Sequence, residues 1–435
     1  MTRRPINNHP TCEGTHVRPL RLRPALITLS SAALLATATA TPPAAASPAP
    51  ARASVALDWY DTTAETIAAA GAPTQVTNSR TWAISWLAAA RAARQVPAGI
   101  DRGDRGDFQD AALASAVHHS LTALAPGRTE QLDTALRQTL ETIPDGPAED
   151  QGVAAGEQQA RLALASREGD GLDPESVNAP FPVPQPAPGV WQPTPPSNAP
   201  ATQYGNRLAR PFALEQANQF RLGPPPALDS ARYRSELAEV RTYGAKDSTR
   251  RTTRQTETAT FWLGSSLTLY TEPLRVALAR SSASSAQQAE LVALFHIALV
   301  DTQIATSDTK YAYLRWRPVT AIRTGEIAPD PAWTPLHDTP AHPDYPSGHN
   351  TYSGAAEAVL TALVGPRTAP FDLTSPTAPG VTRTYTSWHR LTIENVDARV
   401  YSGIHTRSAD EAGVRLGTDV ARYVLRHAEQ LFGTG

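Results

Sequence analysis

Cysteine is almost missing from this 435-residue chain. The single one, Cys12, lies in a segment expected to be removed, which excludes a disulfide framework and a thiolate metal site from the mature protein. Any metal must then be held by histidine or carboxylate. Charge is sparse, at 18% of residues, and no polybasic tract occurs beyond the N-terminal leader, which argues against nucleic acid as a partner. No apolar run after the leader reaches the ~20 residues that an integral membrane span requires. There is also no glycine-rich phosphate loop after a strand, no strand–helix alternation and no internal repeat. What remains is a globular composition, 41% hydrophobic, in a chain long enough for two or three domain-sized units or one large bilobed body. Its 39 prolines predict long irregular connections.

The N-terminus has the order of a secretory signal peptide. Arg18, Arg21 and Arg23 precede an apolar run over residues 25–38, and small-residue sites follow at Ala38-Thr39-Ala40 and Ala44-Ala45-Ala46. We therefore expect a signal peptide over residues 1–46 and a secreted, extracellular product processed before about Ser54. Removing residues 1–46 takes away five Arg and one Glu and moves the formal charge from −2 to −6. An Ala/Pro-rich spacer over residues 47–56 leads into folded sequence near Leu57.

Residues 57–169 carry apolar positions at helical spacing, as in Ala83, Trp86, Leu87 and Ala90, with breaks at Pro73, Pro97, Pro126 and Pro144. A connecting segment, residues 170–228, is too rich in proline for regular helix or central strand, though Trp191, Phe212 and Phe220 predict that it packs along a surface. Helical pattern then continues through residues 229–435. Leu291, Leu294, Phe295, Ala298 and Leu299 give a buried stripe to a helix running towards Lys310. Further helices are predicted from Ser347-Gly348-His349 to Gly365-Pro366, from about Glu394 through Arg399, and from Asp410 to Leu431.

Three segments of this second half carry chemistry. In the first, Arg317 follows Lys310 by seven positions, close to two helical turns, which would put both cations on one face and into one pocket; two surface cations are the alternative. The second is His342-Pro343-Asp344-Tyr345-Pro346-Ser347-Gly348-His349. Here a helix start offers the Ser347 hydroxyl and the bare Gly348 N–H to an anion, with His349 at the mouth for acid–base work; Ser347 as a plain N-cap is the alternative. In the third, Arg399 supplies a guanidinium fork, and His405 a ring nitrogen able to attack phosphorus or ligate an oxometallate, if it is not simply a core histidine.

The pattern K-x6-R-P, P-S-G-H and R-x5-H resembles the signature of the superfamily of vanadium-dependent haloperoxidases and type 2 phosphatidic-acid phosphatases. The flanking words Trp316-Arg317-Pro318-Val319-Thr320-Ala321-Ile322-Arg323 and His342-Pro343-Asp344-Tyr345 resemble its bacterial secreted haloperoxidase-like branch. Resemblance is strongest over residues 255–433. Many relatives have Ser before the arginine of the last motif, where this chain has Ala398.

The resemblance implies an all-α fold of helical bundles, with the active site between helices of the C-terminal half. It implies that Lys310, Arg317, Arg399, the Ser347 hydroxyl and the Gly348 N–H hold the oxygens of vanadate or phosphate. His405 would take one apex, as metal ligand or phosphorylated nucleophile, and His349 the other, so His349 and His405 are the catalytic pair. As a haloperoxidase the protein would use vanadate as cofactor, hydrogen peroxide and halide as substrates, and a small organic acceptor. As a soluble acid phosphatase it would need no cofactor and would cleave a phosphate monoester through a phosphohistidine at His405. A non-catalytic oxyanion-binding protein is the remaining class, disfavoured by the retained His349. Chloride-oxidising relatives tend to place aromatic groups three residues before the motif lysine and five before the motif serine. Ser307 and His342 stand there instead and suggest a halide pocket for bromide or iodide rather than chloride. The sequence leaves a homodimer open.

Overall fold

The computed structural model describes residues 54–433, so the expected signal peptide and most of the spacer lie outside the described residues. Helix α1 (Val55–Ala70) starts where Ser54 accepts from the Leu57 N–H, two residues before the predicted start of folded sequence. α2 (Gln75–Arg94), α3 (Arg105–Leu124), α4 (Thr129–Leu140) and α5 (Pro147–Ser166) follow, and each predicted proline break falls between two of them. Proline lacks the N–H and clashes with the preceding turn, so it stops each helix or opens the next. α3 lies close against α5 because Gly156 has no side chain: a Cβ there would meet the Ala112 carbonyl at 2.5 Å.

Between α5 and residue 230 the only regular pieces are α6 (Pro174–Val177) and a 3₁₀ turn, Tyr204–Leu208. This stretch is nonetheless anchored. The Asp301 carboxylate accepts the backbone N–H groups of Phe212, Ala213 and Leu214 at 2.7, 2.8 and 2.9 Å. The Trp191 N–H donates to the Leu314 carbonyl at 2.7 Å and the Trp316 N–H to that of Gly189 at 2.9 Å.

The helices of the second half are α7 (Ala231–Tyr243), α8 (Thr253–Phe261), α9 (Ser266–Ala279), α10 (Ser285–Tyr313), α11 (Pro318–Thr324), α12 (Gly348–Leu363), α13 (Trp388–Tyr401), α14 (Arg407–Arg426) and α15 (Ala428–Phe432). α10 is the axis of the molecule, packed on α2, α12 and α14. A capping box of Ser284 and Gln287 opens it. By length and composition it could cross a membrane, but 94% of its apolar window is buried inside the protein, which makes it a core helix.

Among the described residues the fold is all-α apart from one antiparallel hairpin, β1 (Arg367–Thr374) and β2 (Thr382–Ser387). This corrects the expectation of unbroken helical pattern after Ser230. α13 begins six residues earlier than Glu394, and the last predicted helix starts at Arg407 and breaks at His427.

Candidate active site

α10 ends abruptly below the site. Leu314 takes the left-handed conformation (φ 48°, ψ 36°), a cost of about 1–2 kcal/mol for a residue with a Cβ, and its N–H closes on the Lys310 carbonyl. Pro318 then opens α11, with Arg317 as its N-cap residue. Lys310 and Arg317 therefore do not share a helix face as the seven-residue spacing suggested; a strained turn, held by Trp191 and Gly189, brings them together. Both are fully buried.

Ser347 is the N-cap residue of α12, as predicted, but its side chain forms no cap hydrogen bond. α14 sits against this helix start, since a Cβ on Gly413 would meet the Ser347 carbonyl at 2.6 Å. The close approach lets the Ser347 N–H donate to the Ala409 carbonyl at 2.9 Å and brings the Asp410 carboxyl beside Ser347, where it accepts from Asn350 Nδ2 at 2.8 Å. Gly348 opens on empty space, with nothing within 4 Å of where a Cβ would stand.

Arg399 ends α13, almost fully buried, with one amino group on the Trp262 carbonyl at 2.8 Å. Gly403, at φ +80°, turns the chain towards Ile404 and His405 in a conformation open to glycine. A Cβ on it would also strike Gly244.

The structure brings the seven predicted residues to one place. Arg317 donates through Nε to the His342 carbonyl at 2.7 Å, through one amino group to Ile404 O at 2.8 Å and His405 Nε2 at 3.1 Å, and through the other to His342 Nδ1 at 3.0 Å. Lys310 Nζ donates to the carbonyls of Pro343 and Asp344 at 2.6 and 3.3 Å. His349, partly exposed, has Nε2 3.0 Å from the Gly264 carbonyl. His405 is buried, with Nδ1 2.6 Å from Asp344 Oδ1. Of the two halide-pocket candidates, His342 is buried against Arg317 rather than exposed, whereas the Ser307 hydroxyl is spent on the Gln203 carbonyl of the proline-rich segment. Sequence reasoning passed over Asp344, Asp410 and the carbonyls of Trp262 and Gly264.

Burial dominates the electrostatics. It pulls the Lys310 ammonium well below its usual range, reinforced by Arg317, and lowers Arg317 and Arg399 to about 10. Desolvation, aided by the neighbouring cations, also lowers His342, His349 and His405 well below 6.5 and so favours their neutral forms, although His349 keeps an exposed edge. It raises Asp410, and it raises Asp344 against the pull of Arg317. A bound anion would reverse the strain on the cations, since an opposite charge favours their charged forms. Spare donors exist for it: Arg399 Nε is buried without a partner, Ser347 Oγ has no well-formed hydrogen bond, and the Gly348 N–H opens a helix. Among the described residues, no cluster of three or more His, Cys, Asp or Glu is arranged for a bare cation.

Fold and site together define a class: a mostly helical protein that gathers three buried cations, two motif histidines and a helix start in one place. A family profile for the VCPO second helical-bundle domain matches residues 290–434. The vanadium chloroperoxidase of Curvularia inaequalis is 26% identical over 276 residues, 47% of this chain and only 45% of that protein's length. The crystal structure of the first bacterial vanadium-dependent iodoperoxidase superposes with a TM-score of 0.70 at 25% identity, over 86% of this chain and 96% of that one. A bacterial vanadium-dependent chloroperoxidase in its apo form shares the fold, with a TM-score of 0.63 at 17% identity over 82% of this chain and 95% of that one. Residues 290–434 match the VCPO second helical-bundle domain family, and the similarities along the rest of the chain support the vanadium-dependent haloperoxidase superfamily.

Proposed function

We propose that the chain is a secreted vanadium-dependent haloperoxidase that uses hydrogen peroxide to oxidise bromide or iodide in preference to chloride, passing the oxidised halogen to a small organic acceptor. The observation that carries this reading is the convergence of three buried cations, an open helix N-terminus and a buried His405 within 3.1 Å of Arg317. Vanadate suits this donor set. Lys310, Arg317, Arg399, the Ser347 hydroxyl and the Gly348 N–H would hold its oxygens and His405 Nε2 its metal, and when bound it supplies a Lewis-acidic centre. The rest of the work belongs to the chain. Buried guanidinium and ammonium groups neutralise oxyanion charge without the reorganisation that water would need. His349, held at Nε2 by the Gly264 carbonyl, is placed to take and return a proton at Nδ1.

The likeness to the bacterial iodoperoxidase extends over the N-terminal helices, and α2 and α3 pack directly on α10. This favours the peroxidase over a soluble acid phosphatase, for which His405 Nε2 would be an equally available nucleophile. The halide preference rests on His342, a polar wall fixed by Arg317 that offers little help in stripping water from chloride. The test is hydrogen-peroxide-dependent bromination of an indicator dye with and without vanadate, beside hydrolysis of an aryl phosphate. Vanadate-dependent bromination exceeding chlorination supports the proposal; aryl phosphate turnover without bromination replaces it with the phosphatase. Export predicts that protein recovered from culture medium begins between residues 40 and 54 by mass spectrometry, and an intact leader would contradict it.

A further inference from the structure

Asp344 bonds to four other residues, Arg315, Lys310, His405 and Thr406, and has no part in the reading above. Its N–H donates to the Arg315 carbonyl at 2.9 Å, and its own carbonyl accepts from Lys310 Nζ at 3.3 Å. Carboxylate oxygen Oδ1 lies 2.6 Å from His405 Nδ1, and Oδ2 accepts the Thr406 hydroxyl at 2.9 Å. It is 1% exposed, so water does not compete for these bonds. One side chain thus ties the segment before α12 to the connection between α13 and α14, and its backbone ties both to the turn after α10.

The proton positions follow from the donor inventory. The Arg317 amino group lies 3.1 Å from His405 Nε2 and 3.4 Å from Nδ1, so it borders the ring between the two nitrogens and does not choose between them. Asp344 does: Oδ1 is 2.6 Å from Nδ1 and Oδ2 accepts the Thr406 hydroxyl, the arrangement of a carboxylate whose oxygens both accept. An ionised carboxylate has no proton to give, so Nδ1 carries the N–H and a neutral imidazole keeps its lone pair on Nε2.

We propose that Asp344 is a positioning residue, which fixes His405 as the Nδ1–H tautomer, holds the ring plane, and presents the Nε2 lone pair to the central atom of the bound oxyanion. An imidazole ligand whose far nitrogen donates to a carboxylate is a stronger and better-oriented base than one free to rotate, and removing such a partner generally costs 10–100-fold in metal affinity. This rests on the assignment of His405 as the apical residue. Thr406 is the next link, since its hydroxyl keeps the carboxylate from turning away from the ring.

The experiment uses protein labelled with ¹⁵N in histidine, with His405 assigned by loss of its signals in His405→Gln. The proposal expects a protonated Nδ1 and an unprotonated Nε2 in the wild type without added oxyanion. Asp344→Asn should shift or mix the tautomers and weaken equilibrium vanadate binding roughly 10–100-fold, read by calorimetry and not by turnover alone. Thr406→Val should keep the tautomer and lose less affinity, a result that stands even if Asp344→Asn fails to fold. An Nε2–H tautomer in the wild type would overturn the proposal, as would full vanadate affinity in Asp344→Asn with the tautomer unchanged. Failure of the underlying reading looks different: His405→Gln would then bind vanadate as tightly as the wild type, whatever the tautomer.

Discussion

The two halves of α10 are about equally buried and are made of opposite materials. From Leu291 to Val300 the helix is apolar on all sides, with Leu291, Val292, Leu294, Phe295, Ile297 and Leu299 in the core and His296 as the exception. From Asp301 to Lys310 it buries Asp301, Thr302, Gln303, Thr306, Ser307, Asp308, Thr309 and Lys310. The first half removes apolar surface from water and so contributes stability. The second half takes polar groups out of water, which costs stability unless each finds a partner. Asp301 and Ser307 find theirs in the backbone of the proline-rich segment, Asp308 binds Arg221 at 2.7 Å, and Lys310 faces the site. Burial in this helix therefore has two meanings: a core in one half, and in the other a fastening for the loops that shape the pocket.

The sharpest contrast should come from substitution in each half. Leu299→Ala, at a position with no exposed surface, should lose about 2–5 kcal/mol of unfolding free energy and leave oxyanion affinity unchanged. Urea titration and calorimetry on one preparation would check both. Lys310→Met should do the reverse. Vanadate or phosphate affinity should fall by ~1.5–3 kcal/mol with the loss of a charged donor, while unfolding free energy holds or rises, because a desolvated ammonium beside Arg317 has been removed. A Lys310→Met protein that unfolds more easily than the wild type would show that this half is core after all.

The smallest effect concerns His296, which stacks on Trp82 with ring centroids 4.5 Å apart and has no hydrogen bond at either nitrogen. Burial lowers it from 6.5 to about 3. Between those pH values the unfolded chain binds a proton that the folded chain refuses, so its contribution is whole above pH 6.5 and is lost as pH falls towards 3. His296→Leu should flatten the stability profile relative to the wild type by up to about 1.4 kcal/mol per pH unit in that window. Identical slopes would mean that His296 takes up its proton in the folded state.

Much of this architecture was legible in the sequence because its signals are local. Proline stops between the N-terminal helices, the stripe of α10 and the start of α12 at Ser347 each depend on a few neighbouring residues. The seven residues of the three motifs lie close together, but the route from Lys310 to Arg317 does not follow one helix face. Spacing alone cannot show a helix ending at a left-handed leucine, and the turn is held by distant partners, Trp191 and Gly189 in the proline-rich segment and Asp344 before α12. The hairpin was hidden for a similar reason. Phe371, Leu373 and Tyr385 are its buried positions, a weak alternation interrupted by Pro370 and a bulge. Asp344 stood in plain view three residues before Ser347, yet its role depends on a contact across 61 positions with His405.

The central claim is that these residues form one oxyanion site with His405 at its apex. Equilibrium titration of vanadate into the wild type and into His405→Ala tests it most directly. The account predicts saturable binding in the wild type, competed by phosphate because Lys310, Arg317 and Arg399 recognise charge and shape, and loss of tight binding in the variant. Undiminished vanadate affinity in a folded His405→Ala protein would contradict it.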